Sequence, residues 1–167
     1  MRRPGLAAVL AVAAAAGAAD PASASVCSVD RAQPLTVTTL CLINDARARH
    51  AAPRLRIDPR LERAARRHAR DMVVRRYFSH TSPQGLSSSA RIERTGWMRG
   101  RRRWTIGENI AWRTGAPDPR AIVRRWLRSR PHRHVLLDGR FRVVGIGIAE
   151  GTPFGGRGHT YTADFGS

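Results

Sequence analysis

Lysine is missing altogether: the 167-residue chain carries 30 basic residues and every one is an arginine. A phosphate-binding loop of the GxxxxGK[ST] type is therefore excluded. Cysteine is nearly as scarce. Cys27 and Cys41 stand alone, too few for a disulfide-dense mini-scaffold, and their spacing, with no histidine nearer than His50, matches no zinc motif. Acids number only 12, leaving a formal charge of +18. Long apolar runs are absent too, since the longest, Leu6 to Ala19, falls short of the about 20 residues a membrane span takes. Neither GxSxG nor HExxH occurs. The glycines of Gly145-Ile146-Gly147-Ile148-Ala149-Glu150-Gly151 are spaced GxGxxxG inside a strand pattern with no helix after it, which fits strand packing rather than a dinucleotide loop. Against these absences stands a 42% hydrophobic content, enough for one ordinary packed domain.

Arg2 and Arg3, the apolar run and the small residues Ala22-Ser23-Ala24 read as a secretory signal cleaved after Ala24. The expected organisation is a signal peptide over 1–24, an N-terminal segment over 25–37 and a folded domain over 38–167. Removing Arg2, Arg3 and Asp20 leaves 28 arginines against 11 acids. In an exported chain an even cysteine count favours a Cys27 to Cys41 disulfide, which in the loop-entropy model contributes about 3 kcal/mol. It would pin the N-terminal segment to the first helix and remove both thiols as nucleophiles.

Helical spacing runs from Thr36 to about His50, with Leu40 and Ile43 on one face and Asp45, Arg47 and Arg49 toward water. Asp58-Pro59 starts a second helix, Asp as N-cap and Pro in the first turn, with Leu61, Ala65, His68 and Met72 on its apolar stripe to about Arg76. A turn-rich loop follows from Tyr77 to Gly85. Residues 87–95 form a short helix closed by Gly96, with Ser87 to Ser89 explained as N-capping. Trp104 to Trp112 is extended. Asp118-Pro119 opens a helix presenting Ile122, Val123, Trp126 and Leu127, and residues 132–137 add a helical turn. Arg142 to Ala149 and Thr160 to Phe165 alternate as partnered strands. Helices first and strands last point to an α+β layered domain.

The residues left with chemistry are His80 in the loop, Glu108 within Ile106-Gly107-Glu108-Asn109-Ile110, and His132 after a helix end. A carboxylate in so apolar a segment must meet a cation, a histidine or a metal. Two imidazoles and a carboxylate can hold Zn²⁺ with a position open. His68 reads as a hydrogen-bonded core residue and His134 as solvated, while for His159, opening the last strand, a place beside these residues is left open.

The block ending Arg75-Arg76-Tyr77-Phe78-Ser79-His80-Thr81-Ser82-Pro83-Gln84-Gly85, then Gly107-Glu108-Asn109, Trp126-Leu127-Arg128-Ser129-Arg130-Pro131-His132-Arg133, Val144 to Gly147 and Tyr161-Thr162-Ala163-Asp164-Phe165-Gly166 resemble, in order, the bacterial SCP-like branch of the CAP superfamily. The resemblance implies a single-domain three-layer α-β-α sandwich with a central cleft. In that family the cleft holds two His and two Glu and in some members a divalent metal. By similarity, His80 and His132 are its histidines and Glu108 its first acid. The second acid has no counterpart, because the helix there reads Trp126-Leu127-Arg128-Ser129. Arg130 beside His132 repels a cation, so any Zn²⁺ is expected to bind weakly.

An arginine excess of this size steers a secreted protein to anionic envelope polymers or a membrane surface. No nucleic-acid motif accompanies it, so nucleic acid is not an expected partner. Two functions follow from the resemblance: an extracellular or envelope-associated module binding a small, lipid-like ligand, or a metal-dependent or acid–base hydrolase using Glu108 with His80 and His132.

Overall fold

The structure is a computed structural model that describes Cys27 and residues 33–167. The expected signal peptide and most of the segment 25–37 lie outside the described residues. Helix α1 spans Leu35–Ala48 and the short strand β1 Arg56–Ile57. Helix α2 runs over Pro59–Val74, where Asp58 accepts from the backbone N–H groups of Arg60 and Leu61 and so fills two donors the first turn leaves open. Ser87 caps α3, Ser88–Glu93, in the same manner. Strand β2 covers Ile106–Thr114. Asp118 caps α4, Pro119–Arg128, through the Ala121 N–H, and α5 follows at Arg130–Leu137. Strands β3, Val143–Glu150, and β4, Gly158–Gly166, close the chain.

The four strands lie in the order β1-β3-β4-β2. β1 runs parallel to β3, while β3 with β4 and β4 with β2 are antiparallel. Two-residue β1 escapes the sequence pattern because alternation needs a longer stretch to show. Strand alternation sorts the side chains onto two faces. Val144, Ile146, Ala163 and Phe165 face α1, α4 and α5, meeting Ile43, Ala46, Ile122, Trp126 and Leu136 in the main core. The opposite face receives α2 and α3, where Leu61, Ala64, Ile92 and Trp97 form a second cluster. The result is the α+β sandwich of three layers, helices on both faces of a mixed sheet.

Gly145 and Gly147 explain how closely α2 lies on the sheet. A Cβ at either would fall on backbone atoms, those of Leu61 and Glu62 at Gly145 and those of Ala65 and Arg66 at Gly147. The glycines are thus a packing device, in keeping with the strand reading of their spacing.

Arg47 corrects an expectation. Placed toward water by its charge, it is fully buried, because it stands four residues after Ile43 and shares that residue's inward face. Its guanidinium donates to the carbonyls of Pro53 at 2.7 Å, Leu136 at 2.7 Å, Asp138 at 3.1 Å and Phe141 at 3.2 Å. It thereby ties α1 to the turn between α5 and β3. The Cys27 to Cys41 disulfide is formed, and Arg120 of α4 donates to the Cys27 carbonyl at 2.8 Å. No helix among the described residues is long and apolar enough to cross a membrane.

Candidate functional site

The site forms at the β2 edge of the sheet, where that edge strand meets groups from both helical layers. Glu108 points toward the α2 side and is 8% exposed as a residue. His80, in the loop after α2, donates from Nδ1 to Glu108 Oε1 at 2.7 Å and keeps 53% of its side chain exposed. Arg91 of α3 donates from Nη2 to Glu108 Oε2 at 2.5 Å. Its Nη1 donates to the carbonyls of His80 and Leu86 at 2.9 and 2.7 Å. One guanidinium therefore fixes both the carboxylate and the loop that carries the imidazole.

Burial alone would raise the Glu108 pKa, but the His80 hydrogen bond and the Arg91 charge hold it below the ordinary carboxylate range. Across the strand, Asp164 pairs directly with Glu108 in the sheet and shows no exposure. Its two carboxyl oxygens meet no N–H or O–H donor. Ionised Glu108 can only accept, so these two acids bond only when Asp164 brings the proton. Burial first, and the Glu108 charge second, accordingly push the Asp164 pKa well above the usual range. The two neighbouring acids are thus shifted in opposite directions, Glu108 down and Asp164 up.

His68 of α2 is the core residue its place on the apolar stripe suggested, fully buried with Nε2 donating to the Ser79 carbonyl at 3.0 Å. Its pKa falls to about 4, driven mainly by burial, so the ring is neutral and braces the loop at the residue before His80. Its Nε2 lies 3.9 Å from Glu108 Oε2, a neighbour rather than a bonded partner. His132 arrives from α5 on the other side of the sheet. Its Nδ1 shares a 2.7 Å hydrogen bond with Ser129 Oγ, and Asn109 of β2 donates to its carbonyl at 3.0 Å. Burial, then the nearby His80 charge, lowers its pKa.

The structure thus brings His80 and Glu108 into contact and sets His132 within electrostatic reach of His80. Among the described residues, these three do not present ligand atoms within 4.8 Å of one another; the one such group is Cys27, Cys41 and Asp45, and its sulfurs are spent in the disulfide. Both Glu108 oxygens are engaged, one by a permanent cation. The donor set does not fit a tightly bound divalent metal. His134 is exposed. His159 pairs with Arg113 and Glu150, an odd number of positions from Asp164, so alternation puts it on the opposite face from Glu108 and away from the cleft.

Two members escaped the sequence reading. Glu108's need for a cation was legible, but nothing local marks Arg91 among 30 arginines. Asp164 was signalled only by being an acid inside the alternating run Tyr161 to Phe165. It supplies a second carboxyl from β4, whereas Trp126 and Ser129, at the place compared for a second acid, fill the core and hold His132.

Comparison with known proteins agrees with this architecture. The model of the family described as CAP, cysteine-rich secretory protein family, matches residues 40–165. The Bacillus subtilis protein YkwD is 33% identical over 109 residues, which are 65% of this chain and 40% of that protein. An extracellular protein containing an SCP domain from Bacillus anthracis superposes with a TM-score of 0.66 at 31% identity, over 78% of this chain and 39% of the other. An outer surface protein from Borrelia burgdorferi also gives 0.66, at 20% identity over 80% of this chain and 92% of its own, a likeness of fold. The chain spans about two fifths of the length of these Bacillus relatives.

Proposed function

The chain belongs to the cysteine-rich secretory protein (CAP) family, and from that premise we propose that it is an extracellular binding module, held at the anionic cell envelope by its arginines, whose cleft takes a small ligand. The observation that carries this reading is the state of Glu108. With Arg91 on one oxygen and His80 on the other, it orients an imidazole but is not free to ligate an ion. What the site offers a ligand is directed hydrogen bonding from the half-exposed ring of His80 and from His132.

Outward location is supported by the formed disulfide, by the signal-like N-terminus, and by the Bacillus anthracis relative described as an extracellular protein. Envelope attachment is supported by the charge of +18, which favours anionic surfaces through screened Coulomb attraction. The test has two parts. Retention on isolated cell envelopes should fall as sodium chloride is raised, and retention unchanged by salt overturns the electrostatic attachment. Native mass spectrometry of the secreted protein should show a bound small molecule that His80→Ala and His132→Ala lose; equal occupancy in those variants overturns the assignment of the cleft.

One contact favours a second reading, acid–base hydrolysis without a metal. The bond from His80 Nδ1 to Glu108 leaves Nε2 on a half-exposed ring to take a proton from water. Hydrolysis of ester or amide substrates that is lost in Glu108→Gln and kept in His134→Gln would establish it.

A further inference from the structure

Arg91 has a second side. Behind the contact with Glu108, between α2, residues 82–86 and α3, lies a pocket of about 200 Å³ whose wall includes Arg67, Asp71, Ser82, Gln84, Arg91 and Arg94. It is smaller than the roughly 300–1,000 Å³ that drug-sized ligands occupy, so it suits a small group and not a whole lipid.

The charge around it is one-sided. Asp71 is the pocket's acid, and its oxygens are already taken by Arg75 Nε at 2.8 Å and the Tyr77 hydroxyl at 2.6 Å. His68, on the same wall, is neutral. Arg67 and Arg94 are exposed and meet no carboxylate among the described residues, unlike Arg75 and Arg91. Arg91 contributes something rarer. Its side chain is only 9% exposed, and while Nη1 and Nη2 are bonded, its buried Nε finds no acceptor. A buried charged group with an unfilled donor is costly unless something supplies the acceptor. The Ser82 hydroxyl accepts from the Leu86 N–H and still has its own proton to donate.

We propose that this pocket binds a small oxyanion, a carboxylate or phosphate group, gripped by Arg67 and Arg94 at its mouth and by Arg91 from within. Planar guanidinium donors match both groups in geometry. The site stands independently of what the His80 cleft takes, yet Arg91 belongs to both. An anion would accept from the free Nε while Nη2 stays on Glu108, so one guanidinium serves both sites.

The test is a titration of the ¹⁵N-labelled full chain with inorganic phosphate and, separately, with acetate, followed by NMR at an ionic strength fixed with sodium chloride, so that screening is constant. The expected result is saturable shifts confined to Ser82, Gln84, Leu86 and the side-chain signals of Arg67, Arg94 and Arg91, the last at its Nε. Saturation by one anion alone identifies its source, and saturation by both supports the shared oxyanion chemistry. The double variant Arg67→Gln/Arg94→Gln should weaken binding about tenfold or more, the scale of a lost charge-assisted bond, while Arg66→Gln, outside the pocket, leaves it unchanged. Shifts that do not saturate and spread over the arginine surface overturn the proposal, and so does saturable binding that survives the double variant. The location of the wild-type shifts decides the matter even if that variant folds poorly.

Discussion

Arg91 and Glu108 form a buried ion pair, Nη2 to Oε2 at 2.5 Å, with 9% and 2% of the two side chains exposed. Removing one partner of such a pair strands the other, and the cost is typically about 3–5 kcal/mol. Arg91→Met should therefore lose stability on that scale in urea denaturation. Adding Glu108→Gln should recover part of it, because the stranded charge is then gone. A loss below about 1 kcal/mol would show that water reaches Glu108, as at an exposed pair.

The neighbouring acids should give opposite pH signatures. Asp164 has a raised pKa in the folded state, so the folded chain holds a proton that the unfolded chain releases above about 3.9. That contribution is fully present below the unfolded value and is lost as pH rises toward the folded one. Asp164→Asn has no such proton. Its stability relative to wild type should climb with pH above about 4 and level off below. Glu108, with a lowered folded value, contributes stability above its unfolded pKa and loses it as pH falls through the folded one. Unfolding curves across the acid range check both signs.

Zinc should bind no more tightly than the millimolar range, since Arg91 sits where an ion would need Glu108 and repels it. Calorimetry on the wild type tests this. Micromolar binding lost in His80→Ala, Glu108→Ala and His132→Ala would overturn it.

Arg47→Met should cost about 3 kcal/mol or more, because it takes a donor from four carbonyls, those of Leu136 and Phe141 in buried bonds and those of Pro53 and Asp138 in part-buried ones. Arg47→Lys should rescue little, as one ammonium cannot reproduce the spread of the guanidinium fork. Chemical denaturation of the two variants side by side is the measurement.

Gly145→Ala should be more damaging than its size suggests. The added methyl meets backbone atoms of α2, which cannot rotate away as a side chain would, and overpacking of even flexible cores costs about 1–3 kcal/mol. Loss of soluble folded protein, or a large fall in the thermal midpoint, is expected; a midpoint near wild type would mean that α2 shifts freely.

Much of this was legible because local chemistry announces itself. Asp58-Pro59 and Asp118-Pro119 carry their capping logic in two residues, and the caps form as read. The sequence pattern starts β2 two residues early, at Trp104, a residue 45% exposed, because an aromatic is a strand-former wherever it stands. Arg47 was misplaced for the converse reason: charge is a default signal for solvent, and only carbonyls gathered from positions 53, 136, 138 and 141 override it. His80 and Glu108 were found through short motifs. Arg91 and Asp164 were not, since each acquires its role only when a helix and a strand distant in sequence come to rest against Glu108.

The two glycines under α2 set how the molecule can deform. Where helix backbone rests directly on strand backbone, as α2 does on β3 at Gly145 and Gly147, there is no layer of side chains to shear, and the two act there as one plate. His80 hangs from that plate on residues 77–86, clamped at the far end by Arg91. The span that carries the imidazole is therefore held at three places, by His68 at Ser79, by Glu108 at the His80 ring and by Arg91 at the carbonyls of His80 and Leu86.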